Sequence, residues 1–202
     1  MSERAAERPD WARRLIFSLE VSLRYHKARE AHLSGYIRFV SWANVVGGSA
    51  VVGNLIGQGG LAESFILLIG VALTAINGHV VTSGVGERQR LHSDLARRFA
   101  TLQFKIEKAC EDETGLLSEA VYRQERREIE HDEPAIYCAL QDVKYNEVCV
   151  ALGLGREHLI KVSPINRAFR NYIRFERECA VKVPESETET SKNSANVEAK
   201  SE

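Results

Sequence analysis

The run from Ser64 to Gly86, SFILLIGVALTAINGHVVTSGVG, carries no Asp, Glu, Lys or Arg over 23 residues. Its only ionisable side chain is His79. Just upstream, Phe39 to Ala62, FVSWANVVGGSAVVGNLIGQGGLA, adds 24 more residues without a charge, and Glu63 alone separates the two runs. A bilayer hydrocarbon core about 30 Å thick is crossed by roughly 20 helical residues, so each run is long enough for one crossing. A soluble helix buried on every side is also apolar all round. A chain of 202 residues, however, rarely builds a core deep enough to bury two of them. The two runs therefore predict a membrane hairpin over 37–86. The second is the stronger span, because the first holds Asn44, Asn54 and six glycines and breaks at Gly57-Gln58-Gly59-Gly60.

Outside the runs the chain is strongly charged, which is why a mean hydropathy of −0.25 conceals them. Lys and Arg number 27 against 28 Asp and Glu, a net charge of −1. That balance argues against nucleic acid as a partner, since a duplex-binding domain usually shows a basic excess. Eight Arg and Lys residues precede Phe39, Arg24, Arg29 and Arg38 among them, and four more, including Arg88 and Arg90, lie within Arg88 to Arg98. The loop between the runs has none. By the positive-inside rule both termini face the cytoplasm and the short loop lies outside, with these arginines at the membrane surface. The highly charged first 38 residues do not read as a cleavable signal peptide.

Helical periodicity governs the rest, and the expected fold class is all-α. Asp10 is a fitting N-cap for a helix with Trp11, Leu15, Leu19 and Leu23 at fourfold spacing, which makes 1–36 an N-terminal cytosolic helical segment. Residues 87–182 read as a cytosolic helical region. It opens with a helix that extends the second span and carries the seam Leu91, Leu95, Phe99, Leu102 and Ile106. A break follows at Thr114 or Gly115, then a charged helix through Tyr122 to Glu130. Asp132-Glu133-Pro134 reads as a further helix start, with Ile136, Leu140 and Val143 offering the surface that the seam needs. Leu152-Gly153 reads as a helix stop. A last helix is expected over Pro164 to Cys179, and the Ser/Glu/Thr/Lys-rich stretch 183–202 reads as a disordered tail. Cys110, Cys138, Cys149 and Cys179 form no C-x-x-C pair and read as reduced thiols.

Within the spans, small residues recur at fourfold spacing: Ser49, Gly53 and Gly57 on the first, and Gly70, Thr74 and Gly78 on the second. In lipid such stripes let helices approach closely, either within one chain or between subunits of a homo-oligomer. Asn44, Asn54 and Asn77 cannot face lipid unpaired, so they either bond inside the hairpin or line an oligomeric pore. His79 reads as an interfacial or packed histidine. Phosphate loops, nucleophile elbows, zinc-protease motifs and paired-cysteine sites are absent, so neither an enzyme nor a cofactor is expected. The acidic group Glu128, Glu130, Asp132 and Glu133 reads as a solvated helix end.

The layout resembles the SLATT family, two-transmembrane effectors associated with bacterial nucleotide-signalling and conflict systems. The resemblance rests on three features. They are Arg24-Tyr25-His26-x-x-Arg29 before the first span, the tight hairpin without basic residues, and the basic helix from Arg88 to Arg98. The segment Arg126-Arg127-x-Ile129-Glu130-x-Asp132-Glu133-Pro134 is similar to one in stand-alone members. The resemblance covers roughly residues 15–150. It implies a pore-forming or membrane-disrupting effector, without catalytic residues, triggered by a sensor or nucleotide-signalling partner. A membrane-anchored helical scaffold for a cytosolic partner is the alternative.

Overall fold

A computed structural model describes residues 8–56, 63–111 and 118–173, and every regular element among them is helical. The first helix, α1 (Asp10–Ile56), is 47 residues long. At 1.5 Å per residue it extends about 70 Å, twice the height of a small domain. No proline interrupts it, and the Arg13 N–H bonds the Pro9 carbonyl at 3.1 Å where it starts. The charge pattern suggests that the N-terminal helix ends near residue 36. In the structure α1 runs unbroken through that point into the first apolar run.

Two helices return along α1 in the opposite direction. The first, α2 (Glu63–Thr82), packs on the C-terminal half of α1, and α3 (Val85–Glu111) packs on the N-terminal half. Contrary to the expected continuous rod, α2 and α3 are separate helices. Ser83 and Gly84 lie between them, and Gly84 has φ +61, a left-handed conformation that a side chain would strain. The jog redirects α3 while keeping it against α1.

The bundle half is built on the seam. Leu95, Phe99, Leu102 and Ile106 of α3 are each 0% exposed. They join Ala12, Leu15, Leu19 and Leu23 of α1 in one core with Tyr122 and Ile129 from α4 (Glu119–His131). Full burial of one such side chain stabilises by about 1.5–3 kcal/mol, so the four together make a large contribution to folding. Leu91, at the upper end, is still 36% exposed. The expected partner surface for the seam is corrected here. Leu140 and Val143 are buried on α5 (Cys138–Ala151), which packs on α1, while the face opposite the seam is supplied by α1 and α4. A long N-terminal helix had already filled the place that the later residues were expected to take.

Local chemistry sets the remaining boundaries. Asp132-Glu133-Pro134 ends a helix and does not start one. The Asp132 N–H bonds the Ile129 carbonyl at 3.2 Å, the Glu133 N–H bonds that of Glu130 at 3.1 Å, and α5 begins only at Cys138. The stop at Leu152-Gly153 is present. Gly153 has φ +70, its N–H bonds the Val150 carbonyl at 3.1 Å, and the Leu154 N–H reaches Cys149 at 2.9 Å. This is a Schellman closure, which uses the helix's own orphan carbonyls. After a 3₁₀ turn at Arg156–His158, α6 (Pro164–Ala168) is shorter than expected, because the chain winds into turns around Phe169. Gly57, the break expected at Thr114 or Gly115, Cys179 and the expected tail lie outside the described residues.

Candidate functional site

The two halves of the α1 rod carry different chemistry. In the upper half, Ser64–Thr82 is a helix long and apolar enough to cross a membrane, with mean hydropathy 1.9 and none of it buried. Phe65, Leu67, Leu68, Val71 and Val81 point outward from α2, as do Phe39, Trp42, Val45, Val46 and Val52 from α1. Between the helices lies a polar lock. Asn44 Nδ2 donates to Asn77 Oδ1 at 2.9 Å, and Asn77 Nδ2 donates to Asn44 Oδ1 at 2.7 Å and to the Leu73 carbonyl at 2.8 Å. Each amide therefore serves as both donor and acceptor for the other, so neither is left unpaired in an apolar setting. Of the two arrangements open to Asn44 and Asn77, the chain makes the bond between them.

Where α1 and α2 approach, the glycine at the contact is one that the stripe pattern passes over. A Cβ on Gly47 would stand 2.7 Å from Leu73 Cδ1 and 3.4 Å from Ile69 Cγ2. Gly53, Gly70 and Gly78 instead have nothing within 4 Å. Ser49 and Thr74 are exposed, and their hydroxyls donate to the Val45 and Gly70 carbonyls of their own helices at 2.6 and 2.8 Å. The small-residue stripes thus face away from the intrachain contact. His79 is exposed near the end of α2, where its carbonyl accepts from the Thr82 and Ser83 hydroxyls. The side chain of Asn54 lies outside the described residues.

The lower half holds a buried polar cluster assembled from three distant parts of the chain. His26 is 1% exposed and His92 is 4% exposed. Their Nδ1 atoms are 2.9 Å apart, and His26 Nε2 lies 2.9 Å from Glu133 Oε1. The His26 ring stacks on Phe99 at 5.5 Å, which fixes its plane against the core. Tyr25 accepts the Tyr137 N–H on its hydroxyl at 3.0 Å, and burial pushes its phenol up from the ordinary value. Burial, followed by the nearby His26 and Arg29, holds the His92 imidazole down at about 4. An imidazole that must shed its charge to stay buried is the physical content of that shift.

Arg29 belongs to this cluster and not to an exposed surface. It is 4% exposed, with its guanidinium 4.0 Å from the centre of the Tyr137 ring and Nη1 donating to the Asn171 carbonyl at 2.9 Å. Arg24 is half-buried and bonds Glu20 at 2.7 Å. Arg38, Arg88 and Arg90 are exposed around the junction of the two halves. Glu133, expected on a solvated helix end, is instead drawn inward to His26, whereas Asp132 stays outside and pairs with Arg98 at 2.5 Å.

In the sequence His26 and Glu133 fall in separate motifs with nothing to join them, and no motif marks His92. A signal existed. His26 follows Leu23 by three positions, and His92 precedes Leu95 by three, so each extends an apolar seam by one helical turn. Two histidines on facing seams are placed to meet. Among the described residues no group of three or more His, Cys, Asp or Glu side chains is arranged to hold a metal ion. Comparison with family models, curated proteins and solved structures found no match to this chain.

Proposed function

We propose that the chain is a two-span bacterial inner-membrane protein that acts as a pore-forming or membrane-disrupting effector in a conflict system such as anti-phage defence. The upper half of α1 and α2 cross the bilayer, and both termini and the helical bundle lie in the cytoplasm. The observation that carries this reading is the apolar helix Ser64–Thr82, none of which is buried. In water, that surface together with the outward residues of α1 would be an aggregation hazard, whereas in lipid it is already solvated. The exposed Arg38, Arg88 and Arg90 then stand at the cytoplasmic interface.

Assembly of several chains is supported by the uncovered faces of Gly53, Gly70, Thr74 and Gly78, which the intrachain contact does not use. Close packing on those faces would make a homo-oligomer. The trigger would be a sensor or nucleotide-signalling partner, as the SLATT resemblance implies. One observation favours the second reading, a membrane-anchored scaffold. The Asn44 and Asn77 amides satisfy each other, so a pore lined by Asn77, or by Asn44 and Asn54, would require that lock to open.

Ion leakage from cells expressing the chain decides between them. Gly53→Leu places its side chain in open space, so the single chain still folds and inserts. Leakage from wild type that Gly53→Leu abolishes at equal membrane abundance supports the effector. Absence of leakage under every inducing condition, infection included, leaves the scaffold. Recovery of the protein without detergent would overturn both membrane readings.

A further inference from the structure

The buried cluster of His26, His92 and Glu133 sits where α1, α3 and the link between α4 and α5 converge. Its two contacts fix a consistent set of donors and acceptors. With Glu133 ionised and both rings neutral, His26 Nε2–H donates to the carboxylate and its bare Nδ1 accepts from His92 Nδ1–H. One added proton is accommodated on His26. It then donates from both nitrogens, to Glu133 and to a His92 that has moved its own proton to Nε2. A second added proton cannot be accommodated on the two rings. Both Nδ1 atoms would carry hydrogen across a 2.9 Å gap, two positive rings would face each other, and Arg29 lies buried beside them.

We propose that His26, His92 and Glu133 form a proton-operated latch between α1 and α3, which holds one added proton and parts the two helices when a second arrives. The titratable and charged groups placed against the two rings are Tyr25 and Arg29 from α1 and Glu133 from the link before α5, with Tyr137 of that link beyond, on Arg29 and Tyr25. Glu133 is the carboxylate bonded to the pair, so it sets how much positive charge the latch tolerates. The low proton affinity of His92 follows from the same burial and neighbours. Opening would be transmitted upward, because α3 meets α2 after only Ser83 and Gly84. The latch would therefore couple protonation in the bundle to the pose of the apolar helix pair.

The test uses the full chain in phospholipid vesicles, with spin labels on Ala31→Cys and Arg97→Cys after replacement of the native cysteines. Both labelled positions are exposed, one on each helix. The distance between the labels is read from pH 7.5 down to pH 4, and ring-nitrogen NMR of the histidines follows the protons in the same range. Wild type is expected to lengthen and broaden between about pH 5 and pH 4. His92→Gln keeps a donor and an acceptor but cannot take the proton, and should hold the neutral-pH distance throughout. Glu133→Gln removes the compensating charge and should move the transition up by at least about one pH unit, a tenfold change in proton concentration. A wild-type distance constant to pH 4 overturns the proposal. So does a transition of the same midpoint in His92→Gln, or one that Glu133→Gln leaves in place. The distance is read within one chain, so a failure of the pore reading leaves this result standing.

Discussion

The same helix α1 is used in opposite ways at its two ends. Its N-terminal half turns Leu15, Leu19 and Leu23 inward onto α3 and faces solvent with Arg13, Arg14 and Lys27. Its C-terminal half turns Asn44 inward onto Asn77 and exposes Phe39, Trp42, Val45 and Val46. The lower half packs an apolar core beneath a charged surface, and the upper half inverts that plan. The proposed membrane setting of the upper half accounts for the inversion. In water the driving force is removal of apolar surface, whereas in hydrocarbon that force vanishes and paired polar groups with close backbone contact hold helices together. The switch comes at Phe39, which is 59% exposed, and Val40, which is 5% exposed and the last buried residue among the described side chains of α1.

The comparison is broken most severely by emptying the lower core. Phe99→Ala removes a ring that is 0% exposed and also takes away the platform under His26. A loss of about 3–5 kcal/mol is expected, read by denaturant unfolding or protease resistance of the bundle. The matched change in the upper half, Leu68→Ala, acts on a residue 62% exposed and should leave bundle stability within about 0.5 kcal/mol of wild type. If both changes cost the same, the two halves do not differ as described.

The polar lock gives the next largest effect. Asn77→Leu leaves the Asn44 amide with no partner on α2 and should weaken the α1–α2 pair by about 1–3 kcal/mol in detergent or lipid. Asn44→Leu combined with Asn77→Leu removes both polar groups and should recover most of that loss. Failure of the double substitution to recover would show that the amides matter for more than each other. Gly47→Leu should also separate the helices, by clash with Leu73, where Gly53→Leu does not. Cross-linking between α1 and α2 distinguishes the two.

A pH titration sharpens the comparison further, because the lower half alone holds buried histidines. His92 is held at about 4 in the folded bundle against an ordinary 6.5 in the unfolded chain. As pH falls from about 6.5 to about 4, the unfolded chain binds a proton that the folded one refuses, so stability should fall through that window and this contribution should then level off. Thermal unfolding at closely spaced pH values should show the decline in wild type and a shallower one in His92→Gln. The smallest effect is expected at the surface. Lys105→Ala breaks an exposed pair with Glu125 and should change stability by less than about 1 kcal/mol.

Composition and order were enough to read the helical class, the apolar run in α2, the seam on α3 and the stop at Gly153. Each of these is a local property: an uncharged run, a repeat near 3.6 residues, or a glycine where the backbone must turn left-handed. The start assigned to Asp132-Glu133-Pro134 failed for the same reason. A capping residue before proline fits a helix start locally, yet the preceding helix claims those N–H groups first.

Partner choice was beyond the sequence. Nothing in the spacing of Leu95, Phe99, Leu102 and Ile106 says whether α1, α4 or α5 will cover them, because burial rewards any apolar surface equally. Nor does a repeat of Gly, Ser and Thr say which glycine meets a neighbour. Gly47 does, and the regular stripes face outward. His26, His92 and Glu133 stand 66 and 107 residues apart along the two contacts they make. The sequence by itself determined that each lies one turn from an apolar seam or beside a helix end. Only the tertiary structure decided that they share a buried hydrogen-bonded chain, since that depends on the register of two antiparallel helices and a link folded back across both.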